Sequence, residues 1–298
     1  MNKTVFDPQL DGIADAEWLD LVARASGDGR HFFSENQLYL AYARNKVKVT
    51  RYVARRGGIG LVMIVLGLAT WVYALKSDWG ITLVLGIACT LSGVAMVGTG
   101  VVTRREPASR EPIQRWLSKW LSAHASERLI AEPALAGIAA SYAPAEAACL
   151  IVVERDVLVD LLLKNGAHSE LNALIVAESG YPPALSEEAR RLLAARADLK
   201  VIAVHDATPE GVAMPSRLKK NRTLPMTERD IVDAGLFPAD VTWLAELAPA
   251  IPAGYTQSVP VDSLSYDALL IGLRGVVNGA LSIHSALEED RARGAARP

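Results

Sequence analysis

The pattern of apolar and polar positions along the chain has two textures. Gly57 to Leu75 and Ile81 to Val102 carry no charged side chain and show no polar face, whereas from Ala148 onward short apolar runs alternate with segments of helical period. A helix needs about 20 apolar residues to cross about 30 Å of hydrocarbon. Only Lys76 to Gly80 separates the two windows, so two such helices must run antiparallel. The pattern predicts a transmembrane hairpin. The alternative, a helical hairpin buried in a globular core, is opposed by the missing polar face.

The flanks set the expected orientation. Arg44, Lys46, Lys48, Arg51, Arg55 and Arg56 precede the first window and Arg104, Arg105, Arg110 and Arg115 follow the second, against Lys76 alone between them. Basic residues stay on the cytoplasmic side, which places both termini in the cytoplasm and the chain in the inner or plasma membrane, with the lipid bilayer as a partner. Trp71, Tyr73 and Trp79 at the loop end resemble interfacial aromatics. Residues 1–56 show no processing-site pattern of a cleaved signal.

Elsewhere the period predicts individual elements. A short helix over Ala16–Ala25 stops at Gly27 to Gly29, and Ser34 with Gln37 forms a capping box opening a helix that runs through Arg56. Pro107 and Pro112 bracket a linker into an amphipathic helix with Ile113, Trp116, Leu117, Trp120 and Leu121 on one face and Arg115 and Lys119 on the other. That helix either lies in the membrane plane or packs its Trp stripe on the cytoplasmic domain. Strands at Cys149–Val153, Ala173–Ala177 and Val201–Val204 alternate with helices at Val157–Leu163 and Pro183–Ala195. Such alternation implies a parallel sheet covered by helices, hence an α/β fold. One apolar helix is expected from about Tyr266 to Leu287. Arg274 at its middle would cost about 2.5–3.5 kcal/mol in a bilayer, so this helix should pack on protein. The expected organisation is 1–56 N-terminal helices, 57–103 hairpin, 104–147 linker with the amphipathic helix, and 148–298 the α/β domain with a C-terminal helix.

Composition changes this picture little. The 51% hydrophobic content is concentrated in the two uncharged windows. Net charge is +2 over residues 1–56, +1 over 57–147 and −5 over 148–298. An acidic C-terminal domain is poorly suited to gripping phosphates, so nucleic acid is disfavoured as a partner. Cys89 and Cys149 form no disulfide framework. Gly58-Ile59-Gly60 does not complete a dinucleotide fingerprint, Glu178-Ser179-Gly180 lacks the glycines of a nucleophile elbow, and no P-loop is present.

Candidate chemistry sits where parallel sheets keep it, at the carboxyl ends of the strands. Glu154, Glu178 and Asp206 end three consecutive strands. Converging carboxylates suit Mg²⁺. Chance also places acids there, since polar residues terminate most strands. None of the five histidines has metal-ligand spacing to another, so His205 is expected to be a neutral surface or packing residue.

The segments Val152-Val153-Glu154-Arg155-Asp156, Gly180-Tyr181-Pro182 and Asp206-Ala207-Thr208-Pro209-Glu210-Gly211 add a family likeness. Together, over about residues 148–222, they resemble the Toprim domain, most closely the version in the DNA-cleaving subunit of type VI topoisomerases. The resemblance implies Glu154 and Asp206 as catalytic metal ligands, with Glu210 or Glu178 completing the set around Mg²⁺. Gly180 and Gly211 of these motifs are expected on the cofactor side, and the basic residues that follow, Arg217, Lys219, Lys220 and Arg222, either meet phosphates beside the metal or form a solvated surface. Two features depart from the family. Thr208 stands where its second Asp belongs, and the domain carrying the cleaving Tyr is missing. The expected function is therefore a membrane-tethered, non-catalytic Toprim-like binding or scaffold module at the cytoplasmic face, taking a protein partner or a second copy. The alternative is a divalent-metal-dependent enzyme acting on phosphodiesters or nucleic acid.

Overall fold

The computed structural model describes residues 5–77, 87–92, 94, 109–124, 128–135, 139–144, 146–221, 223–226, 228–242, 244 and 258–295, excepting the side chains of 46–58, 60, 71, 74–77, 139, 140, 294 and 295. They form two units: residues 1–42 with 109–298, and residues 43–108.

The larger unit opens with helices α1 (Pro8–Asp11) and α2 (Asp15–Ala25), a two-residue strand β1 (Phe33–Ser34) and the start of helix α3 (Glu35–Ser77). The Ser34 box forms as expected: Ser34 N donates to Gln37 Oε1 at 3.0 Å and Gln37 N to Ser34 Oγ at 3.3 Å. Helix α4 (Glu111–Ala123) turns its stripe inward, burying Ile113 and Trp116. Trp116 meets Tyr42 edge-on at 5.4 Å, Trp120 stacks on Phe6 at 6.0 Å, and the Trp116 indole N–H donates to the Asp11 carbonyl at 2.9 Å. Of the two readings of this helix, packing on protein is the one found. It shares a core with Trp18, Leu21, Phe33 and Leu38.

Strand β2 (Leu129–Ile130) pairs parallel with β1. The main sheet then follows: β3 (Cys149–Val153), α5 (Asp156–Lys164), α6 (Ala167–Glu170), β4 (Ala173–Ala177), α7 (Pro183–Ala195), β5 (Lys200–Val204), α8 (Pro209–Val212), α9 (Met214–Leu218) and β6 (Ile231–Asp233). The four strands are parallel in the order β4-β3-β5-β6, so the expected α/β class with a parallel sheet is what the chain adopts. Strands β3 and β4 are buried along their whole length, which is why they read as unbroken apolar runs. Strand β6 lacks that signature because its residues are half-exposed at the sheet edge.

After α10 (Pro238–Val241) come α11 (Tyr266–Val277) and α12 (Ile283–Ala295). The single helix expected from Tyr266 to Leu287 is thus two. Asn278 caps the first, Gly279 turns the backbone at φ 112°, and Ser282 opens the second by accepting from Ser285 N at 3.1 Å. The two helices approach closely because Gly272 and Gly275 lack side chains: a Cβ there would lie 2.7 Å from Ile283 and 2.3 Å from Ala286. Leu269, Leu273 and Val276 are buried, in line with packing on protein.

The transmembrane hairpin is corrected. Among the described residues no helix is long and apolar enough to cross a membrane. Of the second window only 87–92 and 94 are described; the Trp71 side chain, Trp79 and Arg222 also lie outside the described residues. The membrane anchor, and with it the expected location in the inner or plasma membrane with cytoplasmic termini, is not supported. Leu61, Val62, Val65, Leu66 and Leu68 are exposed on the smaller unit.

Candidate functional site

Parallel register brings the ends of β3 and β5 together. Val153 faces Val204, Glu154 N donates to the Val204 carbonyl at 3.0 Å, and the next residues along both strands leave the sheet side by side. Glu154 and Asp206 therefore meet, as the spacing implied. The contact, however, is backbone to side chain: Asp206 N donates to Glu154 Oε2 at 2.9 Å. Gly211 closes over both residues, and a Cβ there would sit 2.3 Å from the Asp206 carbonyl and 3.0 Å from Glu154 Oε2.

The Asp206 carboxylate is already occupied. Arg155 Nε donates to Oδ2 at 2.7 Å and Nη2 to Oδ1 at 3.2 Å, while Val261 N donates to Oδ1 at 2.8 Å. The same guanidinium reaches Asp262 Oδ1. The side chain of Asp262 is wholly buried and that of Asp206 is 9% exposed, against 31% for Arg155. Burial is the largest influence on Arg155 and pulls its pKa down, but Asp262 and Asp206 outweigh it and hold the pKa above its ordinary value. A fixed cation thus stands between Asp206 and Asp262, on one of the two carboxylates that the family likeness gives to Mg²⁺.

Glu178 is held the same way. Arg217 Nε donates to Oε1 at 2.9 Å and Nη2 to Oε2 at 2.6 Å, and Arg217 Nη1 reaches the Glu210 carbonyl. The Arg217 pKa is raised, first by its hydrogen bonds to Glu178, with Glu154 and Glu210 adding to it. Glu210 itself is exposed. Lys219 and Lys220 are exposed at the end of α9. Gly180 turns the chain at φ 90° beside the Thr223 methyl and Ser186. Thr208, in place of the family's second Asp, caps α8 by accepting from Gly211 N at 2.8 Å.

His205, expected to be a neutral surface or packing residue, is packed inside and bonded to a carboxylate. Its ring is fully buried, with Nδ1 2.8 Å from the Asp206 carbonyl and Nε2 2.8 Å from Asp233 Oδ1. A carbonyl and a carboxylate only accept, so the two contacts favour the protonated imidazole, which donates from both ring nitrogens. Burial, the largest influence, opposes that charge; the Asp233 hydrogen bond and the Asp206 carbonyl overcome it and leave the pKa raised.

No family model, curated protein or solved structure matches this chain. The Toprim likeness therefore stands on its motifs. Among the described residues, no group of three or more His, Cys, Asp or Glu side chains is arranged to hold a metal. As placed, the donors do not fit Mg²⁺, which demands near-octahedral oxygen ligands: the Asp206 oxygens are taken by Arg155 and Val261, the Glu178 oxygens by Arg217, and Thr208 by α8. The residues missed by sequence reasoning are Arg155, Asp262 and Asn36, whose Nδ2 donates to both Asp262 oxygens at 3.0 and 3.1 Å. Arg155 had a signal, a cation directly after the supposed ligand Glu154. Asp262 had none, lying far along the chain in an isolated turn at Val261–Ser263.

Proposed function

We propose that the chain is a non-catalytic, Toprim-like binding module whose strand-end site has exchanged a dissociable metal for internal guanidinium cations. The observation that carries this reading is the two-pronged bond from Arg155 to Asp206. The oxygens of Asp206 are already taken by a fixed cation, and admitting Mg²⁺ would require expelling Arg155. Thr208 supports the same reading, because a helix cap serves the fold and supplies no carboxylate.

Titration of Mg²⁺ or Mn²⁺ into the full chain, followed by thermal unfolding, tests it. A resident metal would raise the melting temperature by mass action, by about 2.7 kcal/mol of stability at a hundredfold excess over Kd. The module reading expects no rise beyond that of an ionic-strength control. A saturable rise that disappears in Asp206→Asn would overturn it in favour of the metal-dependent phosphodiester enzyme.

A further inference from the structure

The chain leaves the larger unit along α3 after Tyr42 and returns at Ser109. Both crossings are tied to one buried carboxylate. Asn36, in the first turn of α3, donates to both oxygens of Asp262 and accepts from Arg110 Nη1 at 2.7 Å. Arg110 is the N-cap residue of α4, and its guanidinium lies 4.7 Å above the Tyr39 ring. From its other side Asp262 takes Arg155, which grips Asp206.

The backbone runs the same course. On the site side, Ala207 N donates to the Val259 carbonyl at 2.8 Å and Val261 N to Asp206 Oδ1 at 2.8 Å. On the α3 side, Gln37 Nε2 donates to the Leu264 carbonyl at 2.8 Å and Ser34 Oγ to that of Asp262 at 3.4 Å. Residues 259–264 are thus bonded on one flank to the strand-end site and on the other to the first turn of α3.

We propose that this connector couples the strand-end site to the two crossings: a change of charge or position at Asp206, by ligand or substitution, is passed through Arg155 and Asp262 to Asn36 and Arg110. One guanidinium serves two carboxylates, so releasing Asp206 leaves Arg155 to Asp262 alone and alters what Asn36 and Arg110 are bonded to. Such links are screened away when exposed, but Asp262 is fully buried and Asp206 nearly so. The coupling goes beyond the binding-module reading and does not depend on what the site binds.

Hydrogen exchange on the full chain without ligand tests it. Asp206→Asn is expected to speed exchange of the backbone amides of residues 35–42 and 109–111 by roughly tenfold, near the low end of typical couplings, with the β4 amides unchanged. Linkage is reciprocal, so Asn36→Ala must speed exchange at Ala207 and Val261 by a similar factor. If Asp206→Asn loosens the whole unit and β4 exchange rises too, the double mutant decides. Combined losses of stability that differ from the sum of the single ones support the coupling. Additive losses, or exchange at 35–42 that ignores Asp206→Asn while the strand ends respond, overturn it.

Discussion

Two arginines serve the same strand-end face and differ in one respect. Arg217 forks onto Glu178 at 2.9 and 2.6 Å, and Arg155 onto Asp206 at 2.7 and 3.2 Å, so hydrogen-bond geometry does not rank them. Burial does. The arginines themselves are similar, 31% exposed for Arg155 and 39% for Arg217, but the carboxylates on Arg155 are 9% and 0% exposed against 19% for Glu178. Water can replace Arg217 at Glu178, but none reaches Asp262 to replace Arg155. The same pairing is thus a structural keystone at one position and a surface contact at the other.

Removing the keystone should have the largest effect. Arg155→Met strands Asp206 and Asp262 as uncompensated buried carboxylates, a loss of about 3–5 kcal/mol, and a fall in melting temperature of roughly 10 °C is expected. Arg155→Lys keeps the charge without the two-pronged fork and should recover only part of it. A Met variant as stable as wild type would erase the distinction between the two arginines. Next in size is Gly211→Ala, whose added methyl must push the Asp206 backbone carbonyl from 2.3 Å. Overpacking of this kind costs about 1–3 kcal/mol. Thermal unfolding checks it, with Gly12→Ala separating strain from crowding, since Gly12 needs φ 70° but has open space around it.

Much of this arrangement was legible in the sequence. The runs Cys149–Val153 and Ala173–Ala177 are found as strands to the residue, because strands buried on both faces are apolar throughout. Parallel register then placed Glu154 beside Asp206. Arg155 and Asp262 were not legible as partners, since no local period reports a contact between residues 107 apart. The uncharged windows failed differently: among the described residues they make no helix long and apolar enough to cross a membrane, and several of their apolar side chains are exposed. The break at Asn278–Gly279 was written in the sequence as a C-cap signal, and the apolar residues on either side concealed it.

The third effect lies above about pH 6.5 and extends the comparison to His205, which is more deeply buried than either arginine and can lose a proton. Its folded pKa is raised above the unfolded value. Its contribution is therefore complete below about pH 6.5, the unfolded value, and is lost as pH rises through the folded pKa. The melting temperature of wild type should decline as pH rises through that folded pKa. Asp233→Asn removes the carboxylate that sustains the charge and should flatten this decline. An equal slope in both proteins would mean that another group titrates there.

The smallest expected effect completes the comparison. Arg217→Met leaves Glu178 at a surface where water replaces the lost donors, so the loss should be no more than about 1 kcal/mol. Added salt gives the sharper reading, because half-exposed pairs are screened within about 10 Å at 0.1 M ionic strength while buried ones are not. The stability difference between wild type and Arg217→Met should shrink as salt rises to 0.5 M, and that of Arg155→Met should persist. If both differences respond to salt alike, water reaches both arginines and burial is not what separates them. If neither responds, Glu178 is shielded by Asn221, whose Nδ2 donates to the Glu178 carbonyl at 3.1 Å, and Asn221→Ala should restore the salt dependence.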